Sequence, residues 1–122
     1  MALHESAEMY LETIYQLSLQ RPSVRSIDVA EALNYSRASV SRAVGLLRQD
    51  GYLEVDSDSF LKLTELGKNT AARIYERHTI LSAALIALGV DPETAAEDAC
   101  KIEHVISQKT LDAIKAHMHR EN

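Results

Sequence analysis

The sequence predicts a mainly α-helical fold with one short β-hairpin. In most segments apolar residues recur every three or four positions, as on one face of a helix. Capping residues, glycine or proline separate these segments, and only one pair of segments alternates apolar with polar residues. With 122 residues, 46% of them hydrophobic and 25% charged, the chain can form one compact domain or two small helical units.

The first three predicted helices each follow a serine, whose side-chain oxygen can accept a hydrogen bond from a free N–H at a helix start. The helices are 7–20, 27–33 and 37–48, and the capping serines are Ser6, Ser26 and Ser36. Pro22 ends the first helix. Gly51 ends the third, because glycine adopts the left-handed conformation at low cost.

Residues 52–55 and 60–63 alternate around a polar loop, which predicts a β-hairpin. A long helix follows from Thr64 to Leu88, another begins at Asp91-Pro92, and a last one follows Ser107. Three helices followed by a hairpin are the elements of a winged helix-turn-helix. We therefore expect a winged helix-turn-helix domain at 1–72 and a separate helical domain at 73–122.

The third helix has the composition of a DNA-binding surface. Its apolar stripe leaves small residues and arginines on the far side, which permits a close approach to the major groove and contacts to guanine or phosphate. The candidate DNA-binding residues are Ser36, Arg37, Ala38, Ser39, Ser41, Arg42 and Arg48. An ordinary solvated face, or a helix-turn-helix that binds only protein, is the alternative.

Charge is unevenly distributed along the chain. The net charge of −5 argues against a non-specific nucleic-acid binder, but segment 36–49 has three arginines and no acid. Segment 91–103 has five acids and one lysine. One segment suits a polyanion and the other suits a cation.

The run Cys100-Lys-Ile-Glu103-His104 combines a thiol, a carboxylate and an imidazole. On a helix, spacings of three and four place them on one face, and all three are transition-metal ligands. The predicted apolar stripe of Ala95, Ile102, Val105 and Ile106 points away from Cys100. The alternative is a buried cysteine beside two solvated residues.

Two other candidate ligands lie far from this run. Met9 lies on a polar helix face with Glu12, where packing does not explain a methionine. His78 lies among Ile74 and Leu81, so it is as compatible with a core or interface position as with metal binding.

Several separated motifs together carry a resemblance to a known family. They are the segments 8–15 (EMYLETIY), 29–33 (VAEAL), 36–41 (SRASVS), 77–78 (RH) and 100–104 (CKIEH). With these, the chain resembles the iron- and manganese-dependent repressors, the diphtheria toxin repressor and manganese transport regulator family. The resemblance extends from about Ser6 to the last helix.

The resemblance implies a regulatory metal site of Met9, Cys100, Glu103 and His104, with Glu12 and His78 as further candidates. Met9 and Cys100 match the iron-type branch, and Glu12 matches the manganese-type branch. The ancillary site of the iron-type branch needs acid and imidazole ligands where this chain has Ser82 and Ala96, so we expect that site to be absent or altered. We also expect a short form without the SH3-like domain of longer members.

The predicted function is a repressor of metal homeostasis genes, activated by Fe²⁺ or Mn²⁺ bridging its DNA-binding and dimerisation halves. Co²⁺, Ni²⁺ or Zn²⁺ are expected to substitute in vitro. The expected partner is a double-stranded DNA operator. A homodimer is expected because Ile74, Leu81, Leu85 and the last helix offer more apolar surface than a small helical half can bury.

Other functions are weighed against this one. A single cysteine excludes an internal disulfide and suits a cytoplasmic location, and no apolar run is long enough for a membrane span. The alternative is a winged-helix regulator without a metal switch, in which Cys100 senses oxidants. No nucleophile–base pair or phosphate-binding glycine loop is evident, so an enzyme is not expected.

Overall fold

The structure is a computed structural model that describes residues 5–121. The chain divides into two compact units, residues 1–72 and 73–122. Within the described residues the elements are α1 (Glu5–Gln20), α2 (Ser26–Leu33), α3 (Arg37–Gln49), β1 (Leu53–Val55), β2 (Leu61–Leu63), α4 (Glu65–Ala87), α5 (Pro92–Ile102) and α6 (Gln108–Glu121). The predicted mainly α fold, with three helices followed by a hairpin, is confirmed.

The first unit has a core to which its helices and both strands contribute. Its buried members are Tyr10, Ile14, Val24, Val29, Ala30, Val40, Val44, Leu47, Leu53 and Leu61. On α3 the buried residues are Val40, Val44 and Leu47, the stripe that the periodicity predicts. Burial of this stripe leaves the opposite face of α3 in solvent.

Two of the predicted helix starts are wrong by one or two residues. Ser26 is the first residue of α2 and not its cap, because the Asp28 carboxylate accepts a hydrogen bond from the Arg25 N–H at 2.8 Å. A carboxylate in the first turn thus starts this helix one residue earlier. Ser6 lies in the first turn of α1, which begins at Glu5, so it does not occupy the cap position.

The two strands form an antiparallel pair in which Leu53 lies opposite Leu63. Thr64 connects this hairpin to α4, since its hydroxyl accepts from the Gly67 N–H at 3.1 Å. Gly67 lies against the main chain of Tyr52, so closely that a Cβ at this position would overlap the Tyr52 carbonyl oxygen. The start of α4 therefore packs on the hairpin through a residue without a side chain.

The second unit has its own apolar core. It contains Leu81, Ala99 and Leu111, with Ile80, Ile102, Ile106 and Ile114 packed against them. Asp91 caps α5 by accepting from the Thr94 N–H at 2.9 Å, as the Asp-Pro start predicts. No helix within residues 5–121 combines the length and the apolar character needed to cross a membrane.

Candidate metal centre and DNA-binding surface

Glu103 lies at the centre of a polar cluster in the second unit. It is the residue directly after α5, and its N–H donates to the Ala99 carbonyl at 2.9 Å. One carboxylate oxygen lies 3.0 Å from His78 Nδ1, and the other lies 3.3 Å from His104 Nε2. Its side chain is 0% exposed. Two imidazoles from different segments therefore flank one buried carboxylate.

Cys100 adds a thiol to this cluster. Ligand atoms of Cys100, Glu103 and His104 all lie within 4.8 Å of one another. Ligand atoms lie about 2.0–2.3 Å from a bound ion, so groups this close can share one ion after small side-chain rotations. Cys100 is exposed, and the imidazole of His104 is 4% exposed.

Burial of Glu103 provides a physical test of whether these residues fit a metal. An ionised carboxylate removed from water costs several kcal/mol unless opposite charge or hydrogen bonds compensate. The neighbouring imidazoles of His78 and His104 are positive only when protonated. A divalent cation compensates the buried charge and matches carboxylate, imidazole and thiolate donors. The residues present therefore fit a transition-metal ion.

Cys100, Glu103 and His104 lie together, as their spacing predicts, and the predicted apolar stripe is wrong at Val105. Helix α5 ends at Ile102, and Glu103 and His104 belong to the turn that follows. Consequently Val105, expected in the apolar stripe, is 69% exposed, whereas Glu103 is buried. A spacing of 100° per residue does not extend past a helix end. Glu103 itself keeps right-handed helical backbone angles and its hydrogen bond to Ala99, so its helical spacing from Cys100 is maintained.

Arg77 supports the position of this turn and has no role in the sequence prediction beyond its place in the Arg77-His78 motif. One guanidinium nitrogen donates to the Glu103 carbonyl at 3.0 Å, and the other donates to Gln108 Oε1 at 3.2 Å. The side chain thus connects α4 to both ends of the α5–α6 turn. This contact could not be predicted from the sequence, because Glu103 lies 26 positions from Arg77.

The other two predicted ligands, Met9 and Glu12, belong to the first unit. Met9 Sδ accepts a hydrogen bond from the Tyr35 hydroxyl at 3.7 Å. Glu12, predicted on a polar helix face, is only 5% exposed, so this part of the face is buried. Its Oε2 atom is buried and has no hydrogen-bond partner among residues 5–121. A buried carboxylate oxygen without a hydrogen-bond partner is a favourable position for a cation.

The far side of α3 is a solvent-exposed basic surface. Arg37, Arg42 and Arg48 are exposed and form no ion pair within the described part of the chain. Ala38, Ser41 and Gly45 are exposed between them. Ser36 and Ser39 have a structural role as well, because Ser36 Oγ accepts from the Ser39 N–H at 3.1 Å and caps α3. This surface can approach a phosphate backbone without losing internal contacts.

Comparison with protein families assigns both halves of the chain. Residues 2–61 match the iron dependent repressor, N-terminal DNA binding domain. Residues 64–120 match the iron dependent repressor, metal binding and dimerisation domain. The chain belongs to the iron-dependent repressor family. The resemblance drawn from the sequence motifs is confirmed.

Individual relatives agree with this assignment. An uncharacterized HTH-type transcriptional regulator of Methanocaldococcus jannaschii is 32% identical over 97% of this chain and 96% of its own length. The HTH-type transcriptional regulator MntR of Bacillus subtilis is 38% identical over 89% of this chain and 77% of its own. The crystal structure of the metal-dependent transcriptional regulator MtsR superposes with a TM-score of 0.86 at 25% identity, over 93% of this chain. This chain spans 53% of the MtsR chain.

Proposed function

We propose that this member of the iron-dependent repressor family is a metal-dependent, DNA-binding transcriptional repressor. The observation that carries the proposal is the buried Glu103 carboxylate between His78 and His104, with the Cys100 thiol beside it. The same chain presents an exposed arginine surface on α3. A metal-ligand cluster and a DNA-binding surface in one chain support regulation of DNA binding by metal.

The donor set supports Fe²⁺ or Mn²⁺ as the activating ion. Carboxylate oxygen suits Mn²⁺, whereas thiolate favours Fe²⁺ and the later metals Co²⁺, Ni²⁺ and Zn²⁺. When bound, the ion supplies positive charge and a fixed ligand geometry. Glu103 contributes the buried carboxylate, His78 and His104 contribute imidazoles, and Cys100 contributes a thiol that must lose its proton to bind.

Ligation by Met9 and Glu12 remains a separate prediction based on the family resemblance. The buried and unpartnered Oε2 of Glu12 supports it for Glu12. Replacement of Met9 by leucine and of Glu12 by glutamine tests each residue. Each change is expected to lower metal affinity at least tenfold. If either single variant binds metal as tightly as the unmodified chain, the substituted residue is not a ligand.

We propose double-stranded DNA as the partner of the α3 surface, contacted by a homodimer. Helix-turn-helix dimers bind two half-sites separated by whole helical turns of about 34–36 Å, so the dimer sets the operator spacing. The proposed DNA partner also implies a location in the cytoplasm. Relatives of this chain are named as transcriptional regulators, and we propose that it acts by binding rather than by catalysis.

The proposal is tested by selecting duplexes from a random DNA library with the protein in Mn²⁺ or Fe²⁺, and then measuring affinity with metal and with chelator. An ion at about 100 times its dissociation constant stabilises the binding-competent state by about 2.7 kcal/mol, which corresponds to roughly a hundredfold in DNA affinity. Glu103→Gln is expected to abolish this gain, and the matched control Glu97→Gln, an exposed residue of α5, to retain it. Equal DNA affinity with metal and with chelator would contradict the proposal.

Because Cys100 is exposed, the second candidate function is a winged-helix regulator in which this thiol senses oxidants. In that case peroxide changes DNA affinity in the absence of metal, and Glu103→Gln leaves the response intact. For a metal-dependent repressor we expect the opposite results. Peroxide leaves the DNA affinity of the metal-free protein unchanged, because that protein has no activated state, and Glu103→Gln abolishes activation, because it removes a ligand.

A further inference from the structure

Tyr35 connects the predicted metal ligand Met9 to the start of the DNA-binding helix. Its hydroxyl donates to Met9 Sδ at 3.7 Å. Its ring packs edge-on against that of Tyr10, the neighbour of Met9 on α1, with centroids 5.9 Å apart and an interplanar angle of 65°. All of these contacts lie within the first unit. The thioether therefore has a defined partner on the helix-turn-helix turn.

The main chain around Tyr35 is fixed on both sides. Asn34 has a left-handed conformation with φ of 57°, and the Tyr35 N–H donates to the Ala30 carbonyl at 3.1 Å, which ends α2. The next residue, Ser36, caps α3. A displacement of the Tyr35 side chain consequently acts on a short, hydrogen-bonded turn directly before Arg37 and Ala38.

We propose that Tyr35 is a positioning residue for Met9, and that it transmits metal occupancy at Met9 to the first turn of α3. A thioether sulfur has two lone pairs. The one that accepts the Tyr35 O–H orients the sulfur, and the other stays available to a soft metal ion. The proposal rests on the proposed metal-dependent function, because it requires Met9 to bind the ion.

The test removes the hydroxyl and keeps the ring, in the variant Tyr35→Phe. Co²⁺ binding is followed through its visible absorption, which reports the ligand set directly. Loss of one modest hydrogen bond is expected to weaken Co²⁺ binding about three- to tenfold. The control Tyr52→Phe removes a hydroxyl from a half-buried tyrosine elsewhere in the first unit and is expected to bind Co²⁺ like the unmodified chain.

A double-mutant cycle separates positioning from general destabilisation. In a Met9→Leu background the sulfur is absent, so Tyr35→Phe is expected to have no further effect on Co²⁺ affinity. Amide NMR signals of Ser36, Arg37 and Ala38 provide the second readout, with Zn²⁺ as a diamagnetic ion. These signals are expected to shift on Zn²⁺ addition in the unmodified chain and to shift much less in Tyr35→Phe.

The outcomes distinguish this inference from the function on which it rests. Unaltered or tighter Co²⁺ binding by Tyr35→Phe, or additive effects of the two changes, overturns the role of Tyr35 while leaving the metal-dependent repressor intact. Failure of the unmodified chain to bind Co²⁺ overturns both. Weaker binding that depends on the presence of Met9, together with the lost NMR response, supports the inference.

Discussion

At the scale of single residues, Glu103 is the side chain on which the proposed metal centre depends. Its spacing from Cys100 and His104 predicts the cluster, but burial and contact with His78 are beyond local sequence. His78 lies 25 positions away, and only the packing of α4 beside the α5–α6 turn brings the two together. Sequence alone therefore leaves His78 undecided between core and ligand, and the 3.0 Å contact to the carboxylate places it in the polar cluster around Glu103.

Replacement of Glu103 by glutamine separates metal binding from folding. The amide keeps the size of the side chain and removes the buried charge, so metal affinity is expected to fall at least about a hundredfold, or roughly 2.7 kcal/mol. In chelator, the melting temperature is expected to stay equal or rise, because a buried charge is lost. Calorimetric titration and thermal unfolding measure the two effects. A lower metal-free melting temperature with unchanged metal affinity would contradict this role.

Asp91 gives the chain a defined response to acid. The Thr94 N–H holds the pKa of this carboxyl below its usual 3.8. A depressed pKa in the folded state contributes stability that is complete above 3.8 and is lost as pH falls through the folded-state pKa. Asparagine also caps helices but does not titrate, so Asp91→Asn is expected to lose less melting temperature between about pH 6 and about pH 2.5. Melting temperatures that fall equally with pH in both proteins would contradict this role of Asp91.

At the scale of elements, the sequence predicts some capped helix starts and not others. Ser36, Asp91 and Ser107 cap helices as expected, whereas Ser6 and Ser26 lie inside theirs. The end of α5 could not be predicted from the sequence. No glycine or proline follows Ile102, and the chain leaves the helix where Arg77 and the buried Glu103 hold the turn. Tertiary contacts, rather than local propensity, set this boundary.

Arg77 provides a test of that turn. Lysine keeps the positive charge but cannot donate to Glu103 and Gln108 as a planar fork. Arg77→Lys is therefore expected to lose about 1–2 kcal/mol of stability and to weaken metal binding several-fold through a less fixed Glu103. Thermal unfolding and Co²⁺ titration check both, with Arg73→Lys as a control on the same helix. Metal affinity equal to that of the control would show that Arg77 acts on stability alone.

The junction of the hairpin and α4 depends on one glycine. A Cβ at Gly67 would overlap the Tyr52 carbonyl oxygen, so Gly67→Ala is expected to destabilise the chain by about 1–3 kcal/mol. At Gly45 on α3 nothing lies within 4 Å of the added Cβ. Gly45→Ala is expected to stabilise by about 0.5–1 kcal/mol through helix propensity. Denaturant unfolding measures the free energy of unfolding of both variants. Equal changes in this free energy would contradict the prediction.

At the scale of the whole molecule, uneven charge distinguishes the proposed DNA-binding surface from the proposed metal centre within a chain of net charge −5. The basic, acid-free α3 and the acid-rich segment 91–103 were predictable, because charge and helix period are local properties. The winged helix-turn-helix followed from element order. The positions of Tyr35 and Arg77 were not predictable, because each acts on a residue about 26 positions distant.

The most direct measurement is anomalous scattering from crystals of the chain grown with Fe²⁺ or Mn²⁺, with data collected at both metal edges. The account predicts a peak within bonding distance, about 2.0–2.3 Å, of Glu103 and His104, with Cys100 sulfur as a further ligand. In crystals of Glu103→Gln that peak is expected to disappear. A metal peak remote from Glu103, or no peak in metal-replete crystals, would contradict the account.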